Sequence, residues 1–274
     1  MEKEITEILQ KKHYDVYDLA SIVSILRSEN GCPWDKVQTH KSIKNDFLEE
    51  VYEVIEAIDF DSPEMLKEEL GDVLLQVVFH TDIERREGHF DLDGIADDVC
   101  KKLIVRHPHV FGDVTADNVE TVLKNWDSIK KETKGQESYT DTLKSVPKVF
   151  PSLMRAQKLG KRASRAGMDF KGTDDCFESL KSEVSELENE IKSGNTDAMA
   201  EELGDLLFSC ANLARKLGLD AEQLLYDANE KFLDRFEAVE NSVRQDGLDM
   251  PALSIDTLDA YWVKVKGINN ESNK

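Results

Sequence analysis

What this sequence holds little of is mostly what interrupts a helix. Six prolines and fourteen glycines among 274 residues leave long unbroken stretches, and no segment sustains the β-branched alternation of a strand. The expectation is an all-α chain. The four cysteines, Cys32, Cys100, Cys176 and Cys210, form no CxxC pair and no zinc-like spacing, which predicts reduced thiols in a cytoplasmic protein. No apolar run approaches the length of a bilayer crossing, and the opening MEKEITEILQ is too polar for a secretory signal, so no membrane partner is expected. Positive charge is short as well: 35 Lys and Arg face 56 Asp and Glu, a net charge of −21. Nucleic acid and anionic lipid both require clustered bases, so neither is an expected partner. A small phosphorylated ligand stays open, because a bound cation supplies positive charge locally.

The abundant acid is ordered. Glu183 and Glu186 stand three residues apart, as do Glu202 and Asp205, a spacing that puts each pair on one helix face. Val184, Leu187 and Ile191 beside the first pair, and Leu203, Leu206 and Leu207 beside the second, add apolar positions at helical spacing. Ser193-Gly194-Asn195 reads as a turn, with Asn195 or Thr196 available as a helix cap. Two antiparallel helices then gather four carboxylates beside a shared core, and mutual repulsion calls for a cation. The pattern occurs twice. Glu50, Glu53, Glu69 and Asp72 repeat it: Glu50 to Glu69 and Glu183 to Glu202 both span 19 positions, and each first acid lies 22 positions before the Asp. Duplication explains this better than chance.

The organisation expected is therefore a tandem repeat of two helical-bundle domains, 15–131 and 148–268. The stretch 132–147, rich in Gly, Ser, Thr and Pro, is the expected linker. In the first domain a helix from Val16 stops near Gly31, a plausible left-handed cap. Trp34 follows in a Gly/Pro loop, either exposed for a ligand or plugging the core. Helices are expected over 42–60, from Ser62-Pro63 to about Glu87, and over 91–106. Lys102 and Arg106 share a face of the last, and Trp126 and Lys130 share one further on. The second domain opens on a basic helix holding Arg155, Lys158, Lys161, Arg162 and Arg165. After its carboxylate hairpin it repeats the remaining signals as Lys231 with Arg235 and Trp262 with Lys266.

Oxygen-only donors favour Mg²⁺, with Mn²⁺ a possible substitute, over zinc or copper. None of the six histidines stands three residues after an acid, which disfavours a di-iron bundle site. Acids for Mg²⁺, bases for phosphate charge and an aromatic ring together suit a nucleotide polyphosphate. No GxxxxGK[ST] loop is present, so this is not a P-loop NTPase, and attack by a metal-activated water is the natural chemistry.

These residues carry a family resemblance. Gly31-Cys32-Pro33-Trp34-Asp35, Leu48-Glu49-Glu50…Glu53, Glu69-Leu70-Gly71-Asp72, Arg106-His107-Pro108-His109-Val110-Phe111, Leu153-Met154-Arg155-Ala156-Gln157-Lys158 and Ala228-Asn229-Glu230-Lys231-Phe232 resemble the MazG nucleoside triphosphate pyrophosphohydrolases in their two-domain form. The likeness spans roughly 18–267. It implies tandem helical domains that dimerise and convert NTP and water to NMP and pyrophosphate, dependent on Mg²⁺ and broad in base preference. It also implies a catalytic C-terminal domain, with metal ligands Glu183, Glu186, Glu202 and Asp205 and substrate contacts Lys231, Arg235, Trp262 and Lys266. The N-terminal domain keeps a full second set, Glu50, Glu53, Glu69, Asp72, Lys102, Arg106, Trp126 and Lys130. Only the Gly-Cys-Pro-Trp-Asp loop is altered in the second copy, to Gly167-Met168-Asp169-Phe170.

The expected mechanism is attack of water on the α-phosphorus, with Glu186 as candidate proton acceptor. Lys231, Arg235 and Lys266 stabilise the departing pyrophosphate. Two other answers remain: release of the terminal phosphate, and a non-catalytic helical protein whose acids bind a metal, a nucleotide or a basic partner. The second gives no reason for the bases to recur in both halves.

Overall fold

The computed structural model of the chain describes residues 2–113, 118, 122 and 138–272, and among them there are helices and short 3-10 turns but no strand. Helices α1 (Glu2–Gln10), α2 (Val16–Leu26), α3 (Lys44–Asp59), α4 (Pro63–Glu87), α5 (Leu92–Arg106) and α6 (Pro108–Phe111) precede the undescribed stretch. After it come α7 (Tyr139–Lys144), α8 (Ser152–Arg165), α9 (Thr173–Ser193), α10 (Thr196–Lys216), α11 (Ala221–Gln245) and α12 (Ile255–Ser272). The chain divides into two compact units, 1–130 and 131–274. None of the described helices is long and apolar enough to cross a membrane. Trp126 and Lys130 lie outside the described residues.

In the first unit, α3 and α4 form an antiparallel hairpin, and α2 packs across α4. Ser62 caps α4 through the Met65 amide with Pro63 in the first turn, and Gly88 closes it at φ 79°, the conformation glycine adopts without a Cβ penalty. Val23, Ile43, Val78, Phe79 and Ile83 make the core. A buried ion network locks α2 to it. Arg27 Nε donates to Asp82 Oδ2 at 3.0 Å, and Arg85 and Arg86 donate to the same carboxylate at 2.7 and 2.6 Å.

In the second unit, α9 and α10 form the corresponding hairpin and α8 packs on α10. Gly194 turns the chain at φ 76°, and Asn195 Oδ1 caps α10 by accepting from the Ala198 amide. The cores are small: Ala156, Ala211, Ala214 and Ala221 in one cluster, Val239, Val243 and Val265 between α11 and α12 in another. Close approach is what alanine and glycine permit here. A Cβ on Gly160 would stand 2.2 Å from Asn212 Oδ1.

Three expectations need correcting and one open alternative is resolved. Gly31 is not a left-handed cap; its positive φ is absent, and an added Cβ would lie 2.2 Å from the Leu26 carbonyl oxygen. Glycine is required there for closeness. Trp34 does not plug the core, being 59 % exposed. Part of the expected linker is structured, because Ser138 and Asp141 form a reciprocal capping box that starts α7. Arg162 holds α7 down by donating to the Thr142 carbonyl and to Ser145 Oγ, so that base serves the fold. Finally, the apolar face of the second carboxylate hairpin is only partly covered: Leu187 and Leu206 are half-buried, and the other four expected positions are open. Val184 and Ile191 are 50 % and 59 % exposed, and Leu203 and Leu207 are similarly open. A two-helix hairpin has two sides, and α8 covers only one of them.

Candidate active site

The hairpins bring the acids together by simple geometry. In antiparallel helices, residues equidistant from the turn come level. Glu186 faces Glu202 and Glu183 faces Asp205 about the Gly194-Asn195 turn, and Glu53 with Glu69 and Glu50 with Asp72 do the same about Phe60–Ser62. Carboxylate oxygens of Glu183, Glu202 and Asp205 all lie within 4.8 Å of one another, and so do those of Glu50, Glu53 and Glu69. The fourth acid stands beside each group. Glu186 Oε1 accepts a hydrogen bond from Ser182 Oγ at 2.8 Å; the first unit has Glu49 at that register, which cannot donate, and Glu53 turns into its group instead. Ser209, one turn beyond Asp205, lies near enough to Glu183 for its hydroxyl to offset part of the rise in that carboxyl's pKa, a neighbour that gave no sequence signal.

Repulsion is visible in the electrostatics. Glu183 and Glu202 are both raised above the ordinary carboxylate range, first by desolvation and then by the neighbouring acids Glu186 and Asp205. Glu50 and Glu69 are raised for the same reasons, desolvation first; Glu53 and Asp72 act on both. Carboxylates in this state are poised for a cation that cancels the repulsion. An all-oxygen set, part-buried and drawn from two rigid helices, fits a hard divalent ion.

The expected substrate-binding bases sit on other elements. Lys231 and Arg235 are on α11 and Lys266 on α12, and none forms an ion pair among the described residues. Trp262 packs its ring 5.4 Å from Phe232, and Lys266 Nζ lies 5.8 Å above the indole, so these residues form one amphipathic patch on the α11–α12 pair. Arg235 Nε is buried without a hydrogen-bond partner, a donor suited to an anion. Among the described residues no hydrogen bond or ion pair joins this patch to the carboxylates. In the first unit Lys102 is exposed on α5, with Arg106 a turn further along.

A cavity of about 550 Å³ opens beside the second hairpin. Phe208, Asn212 and Arg215 form one wall, continuing the face of α10 that carries Glu202 and Asp205; Gly160, Ala163 and Phe170 line the rest with others. Asp169 at its rim accepts from Arg215 at 2.6 Å and Lys216 at 3.1 Å. Its carboxyl is held far below the usual range, chiefly by the Arg215 hydrogen bond. Sequence reading missed this cavity, since alanine and glycine announce no chemistry.

A MazG nucleotide pyrophosphohydrolase domain matches residues 38–111 and 172–239. The chain is also 42 % identical, over 250 residues, to the nucleoside triphosphate pyrophosphohydrolase/pyrophosphatase MazG of Thermotoga maritima, covering 91 % of this chain and 95 % of that one. The chain belongs to the MazG family. The Escherichia coli nucleoside triphosphate pyrophosphohydrolase is likewise 42 % identical over 251 residues, 90 % of this chain and 95 % of its own. The uncharacterised YabN of Bacillus subtilis is 38 % identical over 261 residues, 95 % of this chain and 53 % of its own.

One further group in this MazG-family chain combines histidine and acid. Glu84, Glu87 and His89 offer donor atoms within 4.8 Å of one another, but Glu84 and His89 are already hydrogen-bonded and Glu87 stands 3.7 Å from His89 Nδ1. Glu84 accepts from His40 Nε2 and His89 Nδ1, both at 2.6 Å. His40 Nδ1 faces His80 Nδ1 at 2.6 Å in a nearly coplanar pair. One proton fits between those rings. Burial, and then the charge of His40, lower the pKa of His80 below its ordinary 6.5. A depressed folded value means stability present above the unfolded pKa and lost as pH falls through the folded one. Tm of the first unit should fall between about pH 7.5 and about pH 5.5, and His80→Leu, the residue at the matching register of α10, should flatten that slope. An unchanged slope in His80→Leu assigns it elsewhere.

Proposed function

We propose that this protein hydrolyses nucleoside triphosphates to nucleoside monophosphate and pyrophosphate with Mg²⁺ as its cofactor, Mn²⁺ substituting. The observation that carries this is the pair of carboxylate hairpins, each converging oxygen donors from two helices into one part-buried, mutually repelling group. Family membership supplies the reaction class. Domains 15–131 and 148–268, joined through 132–147, work in one polypeptide, and the C-terminal one is the main catalyst.

Glu183, Glu186, Glu202 and Asp205 hold Mg²⁺, and Glu50, Glu53, Glu69 and Asp72 are the equivalent ligands of the first domain. When bound, Mg²⁺ supplies charge neutralisation at phosphate oxygens and a lower pKa for coordinated water. Glu186, exposed and at the mouth of the group, takes the proton as the water oxygen bonds to the α-phosphorus. The bond from that phosphorus to the α–β bridging oxygen breaks, and the bridging oxygen leaves with pyrophosphate. Lys231, Arg235 and Lys266 receive the developing negative charge, with Trp262 holding the basic patch in shape; Lys102, Arg106, Trp126 and Lys130 play those parts in the first domain. The cavity beside α10 accommodates the nucleoside. Its apolar lining tolerates any base, in keeping with a broad base preference and a role in controlling or cleansing nucleotide pools.

With apolar residues of α9 and α10 open to solvent, the protein works as a homodimer; it acts in the cytoplasm, without nucleic-acid or membrane partners. The test uses wild type, Glu53→Ala and Glu186→Ala with Mg²⁺ and a panel of NTPs, products resolved as NMP with pyrophosphate or NDP with phosphate. NMP that vanishes only in Glu186→Ala supports the assignment; NDP and phosphate, or no turnover at all, rejects it. Mg²⁺ at about a hundredfold above its Kd should also raise Tm by roughly 5–10 °C. A Glu69→Gln/Glu202→Gln chain should lose that increment, while its metal-free Tm stays at or above wild type because repulsion is relieved.

A further inference from the structure

The C-terminal cavity has a counterpart in the first unit that differs in kind. The second helices of the two hairpins share one offset: Glu69 corresponds to Glu202 and Asp72 to Asp205, which carries Phe79 onto Asn212 and Asp82 onto Arg215. The preceding loops correspond as Gly31–Trp34 and Gly167–Phe170, which carries Ser24 onto Gly160 and Arg27 onto Ala163. Gly160, Ala163, Asn212 and Arg215 all line the cavity. Three of the counterparts, Arg27, Phe79 and Asp82, pack on one another, and Arg85 joins the fourth, Ser24, to Asp82.

Arg27 is responsible. Its guanidinium carbon sits 4.7 Å above the centre of the Phe79 ring. Nε donates to Asp82 and Nη1 to the Asp35 carbonyl at 2.7 Å, and the residue is only 8 % exposed. Arg85 reaches Ser24 Oγ at 3.1 Å across the same space. In the second unit the side chain at this position ends at Cβ. The charge pair is rebuilt with its signs exchanged and its acid moved to the rim loop: Arg215 now comes from the hairpin helix and Asp169 from the loop. What Arg27 fills in one unit is open in the other.

We propose that this single position decides which carboxylate group accepts a nucleoside. Ala163 leaves room for a base and sugar beside Glu202 and Asp205. Arg27 closes the equivalent room, so the group formed by Glu50, Glu53 and Glu69 receives phosphate groups without a nucleoside body. This rests on the placement of polyphosphate and nucleoside given under the proposed function. It adds a specificity-determining residue that touches no phosphate and needs no change in the metal ligands. Shape alone discriminates, in the way a filled apolar pocket rejects a larger ligand.

The full-length protein tests it. Ala163→Arg should raise KM for ATP by about tenfold or more, with a smaller effect on kcat, while the inhibition constant of inorganic tripolyphosphate stays within about twofold. Ala163→Leu fills the same space without a charge and replaces the Arg variant if that one does not fold. Arg27→Ala should raise the number of AMP sites seen by calorimetry from about one to about two per chain. A folded Ala163→Arg or Ala163→Leu protein with wild-type KM for ATP overturns the proposal. Wild type that turns over no NTP overturns the functional assignment instead; the gate is then judged on AMP binding, and falls if Ala163→Arg retains it.

Discussion

Glu186→Gln lowers kcat for conversion of NTP to NMP by about 10²–10⁴-fold, the range for removing a general base, and leaves the protein folded. Glu186 stands level with Glu202 across the hairpin, is exposed on α9, and accepts a hydrogen bond from the Ser182 hydroxyl. Replacing an exposed carboxylate by its isosteric amide disturbs little packing, so stability should move by no more than about 0.5 kcal/mol. Glutamine keeps an oxygen for Ser182 and loses the basic one. The signature is a fall in kcat with KM nearly constant. Glu202→Gln should differ: it removes a ligand from the part-buried group, so raising Mg²⁺ should restore part of its lost rate. Rescue of Glu186→Gln by Mg²⁺ would leave that residue its part as a ligand and remove it as the base. Normal turnover in a folded Glu186→Gln protein would remove it from the chemistry.

Asp82→Asn should destabilise the first unit by about 3–5 kcal/mol, the usual consequence of breaking a buried pair from one side. The Asp82 and Arg27 side chains are 4 % and 6 % exposed, and the carboxylate is shared by three arginines. Removing its charge strands Arg27 in the core with no solvent to turn to. Denaturant unfolding followed by tryptophan fluorescence would measure the loss; a change below about 1 kcal/mol would show that Arg27 re-pairs elsewhere. Acid should act in the same direction. Burial alone raises the Asp82 pKa, but hydrogen bonds from Arg86 and Arg85 outweigh it and the net value lies below the ordinary 3.8. Its contribution is therefore complete above about pH 4 and lost as pH falls through the lower folded value.

The carboxylate hairpins were legible because a helix converts spacing into position. Acids three apart share a face, and equal intervals across two turns place equal neighbours. Capping residues were legible for the same local reason, as Ser62, Gly88 and Asn195 illustrate. Gly31 was misread because glycine serves a left-handed turn and a close approach with the same letter. Arg27 and Asp82 are 55 positions apart, and their pairing appears only once α2 crosses α4. The cavity was the least visible, since a small side chain at 163 has meaning only beside the larger one that fills the same place elsewhere. The exposed faces of α9 and α10 look in sequence just like buried ones; periodicity identifies an apolar stripe without saying what covers it.

Those open stripes bear on how the protein behaves when diluted. Val184, Ile191, Leu203 and Leu207 lie on the helices that carry the carboxylate group, so whatever shields them also steadies those acids. With a second copy as the shield, mass action enters: the unfolding midpoint climbs with protein concentration, and scarcity acts as a mild denaturant. A cell that makes little of this protein would then hold less of it in working form than a count of chains suggests.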